Sequence, residues 1–351
     1  MAGKVLVTGG EGFIGSQVVD MLVETGRDVR VIDCLHPAAH SRRPDYLNPG
    51  AEYLTGNLND EHDVAAALEG VEAVSHQAAM VGLGKDFGDA QDYVADNCLG
   101  TARLLSALSR AGFAGSLVLA SSMVVYGEGG YSCATHGVVR PDARSKEDLD
   151  AGRFEPLCPD CGERLSPHAV SEDAETDPRS VYAATKLHQE QLCSLFAREN
   201  ERVRYTALRY HNVYGPRMPR DTPYAGVASI FRSALESGVA PSVFEDGRQI
   251  RDFVHVRDVA RANLLALDAG LERAGVYNVA SGRPRPLIDM ARLLSAAAGP
   301  EAPEPVVTGN YRLGDVRHVF AQTTKARECL GFEAGIDLET GMREFATARL
   351  R

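Results

Sequence analysis

The stretch Lys4-Val5-Leu6-Val7-Thr8-Gly9-Gly10-Glu11-Gly12-Phe13-Ile14-Gly15 decides how the rest of the chain is read. A short apolar, β-branched run ends at Thr8. Glycines follow at 9, 12 and 15, and helical periodicity runs from Phe13 to Glu24, with Gly26 as a stop signal. Gly9 permits a tight turn, Gly12 lets the backbone approach a pyrophosphate, and Gly15 lets helix and strand pack closely. The first N–H groups of the helix then face the anion. Three glycines alone would equally make a plain turn. A strand before them and a helix after them point to a dinucleotide-binding loop, with Gly9, Gly12, Phe13, Ile14 and Gly15 as contacts.

Working outward, Asp28–Asp33 reads as the second strand. Asp33 stands about 20 residues beyond the loop, where a carboxylate accepts hydrogen bonds from the adenosine ribose and repels a 2′-phosphate. NAD is therefore expected over NADP, although Arg42 and Arg43 follow at a distance. Glu52–Leu58 is expected as a third strand, 60–69 as a helix, Ala73–Ala79 as a fourth strand, Gln91–Arg110 as one long helix and Leu117–Ser122 as a fifth strand. This alternation predicts an α/β fold built on a doubly wound parallel Rossmann sheet. The rhythm breaks at Gly127 and resumes with a helix at Val181–Glu199 and a strand at Arg204–Val213. Shorter elements follow: helices at Val227–Glu236, Leu287–Ala297 and Leu338–Thr347, and strands near Ser242–Glu245, Asp252–His255 and Val276–Val279. The expected organisation is a dinucleotide-binding domain over 1–127 and 178–215, an inserted segment over 128–177, and a smaller mixed α/β substrate lobe over 216–351.

Composition narrows the function classes. A formal net charge of -11 argues against nucleic-acid and anionic-membrane partners. There is no run of about 18 apolar residues to span a membrane, and the first residues lack a signal-peptide layout. The seven cysteines are odd in number, and Cys34, Cys98, Cys193 and Cys329 stand singly, which fits a reducing cytoplasm better than a disulfide framework.

A second pattern is Tyr182-Ala-Ala-Thr-Lys186. At i and i+4 both side chains share one helix face. A neighbouring ammonium and a positively charged nicotinamide would favour the phenolate and make Tyr182 a general base. Such a spacing is common by chance in an amphipathic helix. It gains weight from Ser121-Ser122-Met123-Val124-Val125-Tyr126-Gly127, which follows the fifth strand at the end of the sheet where ligands sit.

Taken in order, TGGEGFIGS, SSMVVYG, YAATK, RYHNVYGP and RDFVHVRDVA resemble the extended short-chain dehydrogenases that act on nucleotide sugars. The resemblance covers nearly the whole chain. It implies a catalytic triad of Ser122, Tyr182 and Lys186. It also implies a cofactor groove lined by His76, Gln77, Ala78, Ala79 and Asn97, with Tyr210 and His211 near the nicotinamide. The nucleoside-diphosphate sugar would be held by Ser122, Met123, Tyr182, Asn212, Arg251 and Arg312, with Asp315 on the same late loop. Helices near 91–110 and 181–199 would pair in a homodimer. Two positions depart from the pattern. Asn57, followed by Leu58, stands beside the adenine where Asp is usual, and His211 replaces an aromatic or aliphatic residue.

The chemistry follows from what is missing. The related 4,6-dehydratases carry an Asp-Glu pair after the catalytic hydroxyl residue, and here those positions are Met123 and Val124, which transfer no proton. Epimerisation at C4 needs only a positioned base and a retained NAD that takes up and returns a hydride. An NAD-dependent nucleotide-sugar 4-epimerase is therefore expected. A UDP-hexose or UDP-glucuronate 4-epimerase, a 4-ketoreductase using external cofactor, and a non-enzymatic dinucleotide sensor stand as alternatives. Arg251 and Arg312 could clamp a pyrophosphate in spite of the acidic surface.

The segment between Ser122 and Tyr182 is about thirty residues longer than this scaffold needs. It carries Cys133-Ala-Thr-His136-Gly and Cys158-Pro-Asp-Cys161-Gly, two ligand pairs with the spacing of a structural, zinc-ribbon-like site. A reduced loop or a Cys158–Cys161 disulfide are the other readings. With few apolar residues, the segment is expected to depend on zinc rather than on a core of its own. The split C-x2-H-G and C-P-x-C-G insertion resembles the dTDP-L-rhamnose 4-epimerase subgroup, which implies a 6-deoxy or similarly modified sugar.

Overall fold

The computed structural model describes residues 3–37, 39–40, 42–82, 87–220 and 226–351. Seven strands form the central sheet: β1 (Lys4–Thr8), β2 (Val29–Asp33), β3 (Glu52–Thr55), β4 (Val71–His76), β5 (Ser116–Ser122), β6 (Arg204–Tyr210) and β7 (Gly275–Val279). They lie in the order β3-β2-β1-β4-β5-β6-β7, and every pairing is parallel. The chain winds outward from β1 in one direction and then, from β4, in the other. The crevice at that reversal opens between the carboxyl ends of β1 and β4.

Alternate residues of the strands feed two cores. Val5, Val7, Val29 and Val31 pack on α1 (Phe13–Glu24) and on α4 (Val256–Asp268). Leu6, Ile32, Val74, Leu117 and Leu119 pack on α2 (Gly100–Arg110) and α3 (Val181–Glu199). Both faces being covered explains why these strands read as continuous apolar runs.

Several elements differ from expectation. The third strand stops at Thr55, because Gly56 and Asn57 turn towards the helix Glu61–Ala67. The expected long helix is a short α-turn at Ala90–Tyr93, a π-helical stretch over Val94–Leu99 and then α2; the widened turn carries buried Asn97. The expected strand over 204–213 is two. β6 ends at Tyr210, and Asn212–Tyr214 leaves the sheet to pair in parallel with Phe253–His255. α4 is absent from the sequence reading, because its buried face is rich in alanine (Ala260, Ala262, Ala266) and includes Asp258 and Asn263, which blurs the apolar period.

Beyond the sheet, helices Val227–Glu236, Leu287–Ala298 and Leu338–Thr347 enclose a third core of Tyr214, Phe231, Phe253, Met290, Leu294, Met342 and Phe345. Within 128–177, strands Gly130–Cys133, Gly137–Val139 and Ser166–His168 form an antiparallel sheet. Tyr131, Cys133, Cys158 and Leu165 pack together there. This corrects the expectation that the insertion has no core: two of the four apolar contributors are candidate metal ligands. Among the described residues no helix is long and apolar enough to cross a membrane.

Candidate active site

The glycine loop has the geometry its sequence demands. Gly9 lies at φ +67°, and a Cβ there would sit 2.7 Å from the Ala78 Cα. A Cβ on Gly15 would sit 2.2 Å from the Gly9 carbonyl oxygen. Gly12 caps α1 without a capping side chain, so the first N–H groups, at Phe13 and Ile14, are left to an anion. These features fit a dinucleotide pyrophosphate.

Asp33 ends β2 and is 8% exposed. Its carboxylate accepts the N–H groups of Glu11 (3.0 Å) and Leu35 (2.9 Å), which fixes it against the loop. Arg43, the nearby cation that could have favoured a 2′-phosphate, is held by buried Glu11 at 3.1 and 3.3 Å. Burial raises the Glu11 pKa against the pull of Arg43. At the end of β3 the Asn57 side chain accepts the Asn59 N–H at 2.8 Å, and Leu58 is buried.

At the end of β4, Ala78 N–H donates to the Thr8 hydroxyl (3.1 Å), bringing Gln77-Ala78-Ala79 beside the glycine loop. Gln77 is held by Ser75 (2.9 Å) and Asn263 (2.8 Å). His76 is buried behind the groove between Thr8 (2.7 Å) and Thr101 (2.8 Å), and burial lowers its pKa to about 3. Asn97 is fully buried. It accepts the Met80 N–H (2.7 Å) and donates to the Met80 carbonyl and the Thr185 hydroxyl, so it fixes the loop after β4.

Ser122, Tyr182 and Lys186 meet at the carboxyl end of β5. Ser180 caps α3 by accepting the Ala183 N–H (3.1 Å), which sets the helix start just before Tyr182. The Ser122 side chain faces the Tyr182 hydroxyl and partly offsets the effect of burial on it, and the Tyr182 ring lies 6.1 Å from that of Tyr93. The Lys186 Nζ is 6.0 Å from the Tyr182 ring centre and donates to the Ala120 carbonyl at 2.8 Å. Burial raises the Tyr182 pKa to about 12 and lowers that of Lys186 to about 8. The expected phenolate is thus not favoured by the protein alone, since burial is the largest influence on Tyr182. Met123 begins a 3-10 turn whose Val124 N–H reaches the Ser122 hydroxyl at 3.4 Å.

At the end of β6, Tyr210 is hydrogen-bonded to Asn263 (2.7 Å) and Gln77 (3.3 Å). His211 is buried with no hydrogen-bond partner among the described residues for either ring nitrogen, and burial lowers its pKa to about 4. The Asn212 Oδ1 is likewise buried and unpartnered among the described residues. Sequence reasoning missed the support behind these residues. The Ser121 hydroxyl donates to Glu190, and Arg209 binds Glu190 at 3.0 and 2.8 Å, tying α3 to β5 and β6. The available signal was Glu190 four residues after Lys186, with Arg209 inside an otherwise apolar strand.

On the second lobe, the Arg251 guanidinium donates to the carbonyls of Ile250 (2.9 Å), Arg317 (2.9 Å) and Val316 (2.7 Å). It therefore holds the loop that carries Asp315, whose carboxyl pKa is raised by burial. Arg312 is exposed, 5.7 Å over the Phe244 ring. Cys133, His136, Cys158 and Cys161 converge with all ligand atoms within 4.8 Å of one another. The Cys133–Cys161 sulfurs are 3.6 Å apart, and the His136 Nδ1 is 3.6 and 3.5 Å from Cys133 and Cys158. With bonds near 2.0–2.3 Å, tetrahedral zinc needs ligand separations of about 3.5–3.8 Å. Cys133, Cys158 and Cys161 are free thiols, so Cys158 and Cys161 form no disulfide. Gly137 and Gly162 take φ +72° and +73°, the turn each knuckle requires. Backbone N–H groups of His136 and Thr135 lower the Cys133 thiol to about 6.

The sequence pattern of the NAD dependent epimerase/dehydratase family matches residues 5–280. The dTDP-L-rhamnose 4-epimerase of Burkholderia thailandensis is 34% identical over 98% of this chain and 94% of its own. The UDP-glucose 4-epimerase of Thermotoga maritima, solved with UDP-glucose, superposes with a TM-score of 0.79 at 30% identity, covering 98% of this chain and 97% of its own. That of Thermus thermophilus, solved with NAD, gives 0.76 at 28% identity over 98% and 97%.

Proposed function

Because the chain belongs to the NAD-dependent epimerase/dehydratase family and works as a nucleotide-sugar 4-epimerase, we propose that its sugar is a dTDP-linked 6-deoxyhexose of the L-rhamnose kind and that Ser122, Tyr182 and Lys186 carry the chemistry. The observation that carries this reading is the convergence of Ser122, Tyr182 and Lys186 at the end of β5, followed by Met123 and Val124 where a dehydratase would need proton-transferring carboxyls. The similarity to the Burkholderia dTDP-L-rhamnose 4-epimerase supports the choice of sugar.

In this mechanism Ser122 orients the C4 hydroxyl, and Tyr182 takes its proton and later returns it. Lys186 holds the cofactor ribose and lends its charge to the phenolate. Bound NAD supplies a hydride acceptor and a positive ring that opposes the raised Tyr182 pKa. It would be held by the uncapped start of α1, by Asp33 and by Gln77-Ala78-Ala79. Asn212, Arg251 and Arg312 would hold the nucleotide, with Asn212 Oδ1 and His211 offering buried polar atoms to ligand.

The Cys133–His136–Cys158–Cys161 cluster would hold one structural zinc, because its separations match a tetrahedral set and it offers no open coordination position. Thiolates of this kind persist in a reducing cytoplasm, where we place the protein. A homodimer would cover Val94, Leu99 and Leu195, apolar side chains left 50%, 44% and 54% exposed on the two helices expected to pair. Separate incubations with dTDP-L-rhamnose, UDP-glucose and UDP-glucuronate, followed by proton NMR, test the sugar. A C4 epimer from dTDP-L-rhamnose alone supports the proposal; turnover only of a UDP sugar overturns it.

A further inference from the structure

The inserted segment is tied to the second lobe as well as to its own Cys/His cluster. Its first strand, Gly130–Cys133, carries the metal-ligand candidate Cys133 and, two residues earlier on the same face, Tyr131, which is 1% exposed. The Tyr131 hydroxyl accepts the His318 N–H at 3.0 Å and donates to the Glu128 carboxylate at 3.1 Å. Glu128 in turn accepts the Arg317 N–H at 3.0 and 3.3 Å. Two hydrogen-bonded steps therefore lead from the cysteine strand to the backbone at 317–318.

That backbone directly continues the loop bearing Arg312 and Asp315. Arg251 donates to the carbonyls of Val316 and Arg317. The Arg317 side chain is fully buried and joins the two bodies: it binds Glu155 of the insertion (2.6 Å), and Glu245 (2.7 Å) and Asp246 (2.7 Å) of the second lobe. Arg144 of the insertion binds Glu245 at 2.8 Å and the Asp315 carbonyl at 2.6 Å. Glu155 also meets the His318 ring at 2.9 Å. A buried cation satisfied by three carboxylates from two bodies tolerates little displacement of either, because losing one partner strands the others.

We propose that Tyr131, Glu128 and Arg317 are positioning residues through which the Cys/His centre sets the shape of the nucleotide-sugar loop, so that metal occupancy governs affinity for the sugar nucleotide and not for NAD. This rests on the reading that Arg251 and Arg312 bind the nucleotide. The glycine loop and Asp33 lie at the β1 and β2 ends of the sheet, where Asp33 is anchored to Glu11 and Leu35 and not to this network, which is why the cofactor is spared.

The test uses the full-length metal-loaded protein, with dTDP binding by calorimetry, retained NAD by absorbance and zinc by elemental analysis. Tyr131→Phe keeps the ring and removes both hydroxyl bonds. It is expected to weaken dTDP binding about tenfold, equal to about 1.4 kcal/mol, to raise KM more than it lowers kcat, and to leave zinc and NAD content unchanged. Chelating the metal from the unaltered protein is expected to weaken dTDP at least as much, again with NAD retained. Arg251→Ala and Arg312→Ala report on the underlying reading. If those two abolish dTDP binding while Tyr131→Phe leaves it within twofold, the coupling is wrong and the site reading stands. If neither arginine variant changes dTDP binding, the site reading itself falls.

Discussion

Replacing Tyr182 with Phe removes one oxygen from the site and little else. The ring keeps its packing beside Tyr93 at 6.1 Å, and the polar contact with Ser122 is given up. Even a full hydrogen bond contributes only about 0.5–1.5 kcal/mol of stability, so the variant is expected to fold and to retain NAD. Removing a general base lowers the rate by about 10²–10⁴, or about 3–5 kcal/mol of barrier. The pH behaviour gives a second check. Buried Tyr182 has a pKa of about 12, so it is protonated at neutral pH without cofactor. Bound NAD would bring a positive charge to the site and lower that value, and the base is expected to remain more than half protonated at pH 8. The expected kcat of the unaltered enzyme rises about tenfold per pH unit between pH 6 and 8, and this slope is expected to vanish in Tyr182→Phe. The assay is single-turnover epimerisation with retained NAD and melting temperature measured alongside. A variant within tenfold of the original rate, with NAD and fold intact, would refute the role of Tyr182.

Three further outcomes are expected. Cys158→Ser with Cys161→Ser should reduce zinc from one atom per chain to well below one and lower the melting temperature; unchanged zinc content would remove the metal assignment. His76 and His211 are buried neutral with pKa values of about 3 and 4, so the unfolded chain binds more protons below its ordinary histidine pKa. Stability from these two is full above about pH 6.5 and should fall as pH drops towards 4, by up to about 2.7 kcal/mol per unit; urea midpoints that stay flat over that range would contradict it. With Arg43 occupied by Glu11, NADP should bind at least about 100-fold more weakly than NAD, and Asp33→Asn should narrow that gap; equal affinities in the unaltered protein would count against Asp33.

The fold was legible where burial imposes a simple period. β1, α1, α3 and the helices Val227–Glu236 and Leu338–Thr347 occupy the residues expected of them, because strand alternation and helical faces there coincide with turn signals. It was illegible where tertiary contacts override local pattern. Nothing local marks the π-turn around Asn97, whose side chain is recruited by Met80 and Thr185. The departure of the chain at His211 depends on pairing with the distant strand Phe253–His255. At the site, the glycine loop announces itself by spacing, whereas the Tyr182–Lys186 pair gains its weight from Ser122 and the order of motifs around it. Arg317 does not: its importance comes from Glu155, Glu245 and Asp246, which only the fold brings together. Arg251 shows the opposite case, a residue singled out as a phosphate clamp whose donors hold the loop that carries Asp315.

The central claim is that one retained NAD removes and restores the hydride at C4 with Tyr182 moving the proton. The most direct measurement is NMR of dTDP-L-rhamnose carrying deuterium at C4, incubated with purified protein and no added cofactor. The account predicts a C4-epimeric product that keeps its deuterium at C4 and gains no solvent hydrogen at C5. Loss of the C4 label, or exchange at C5, would contradict it.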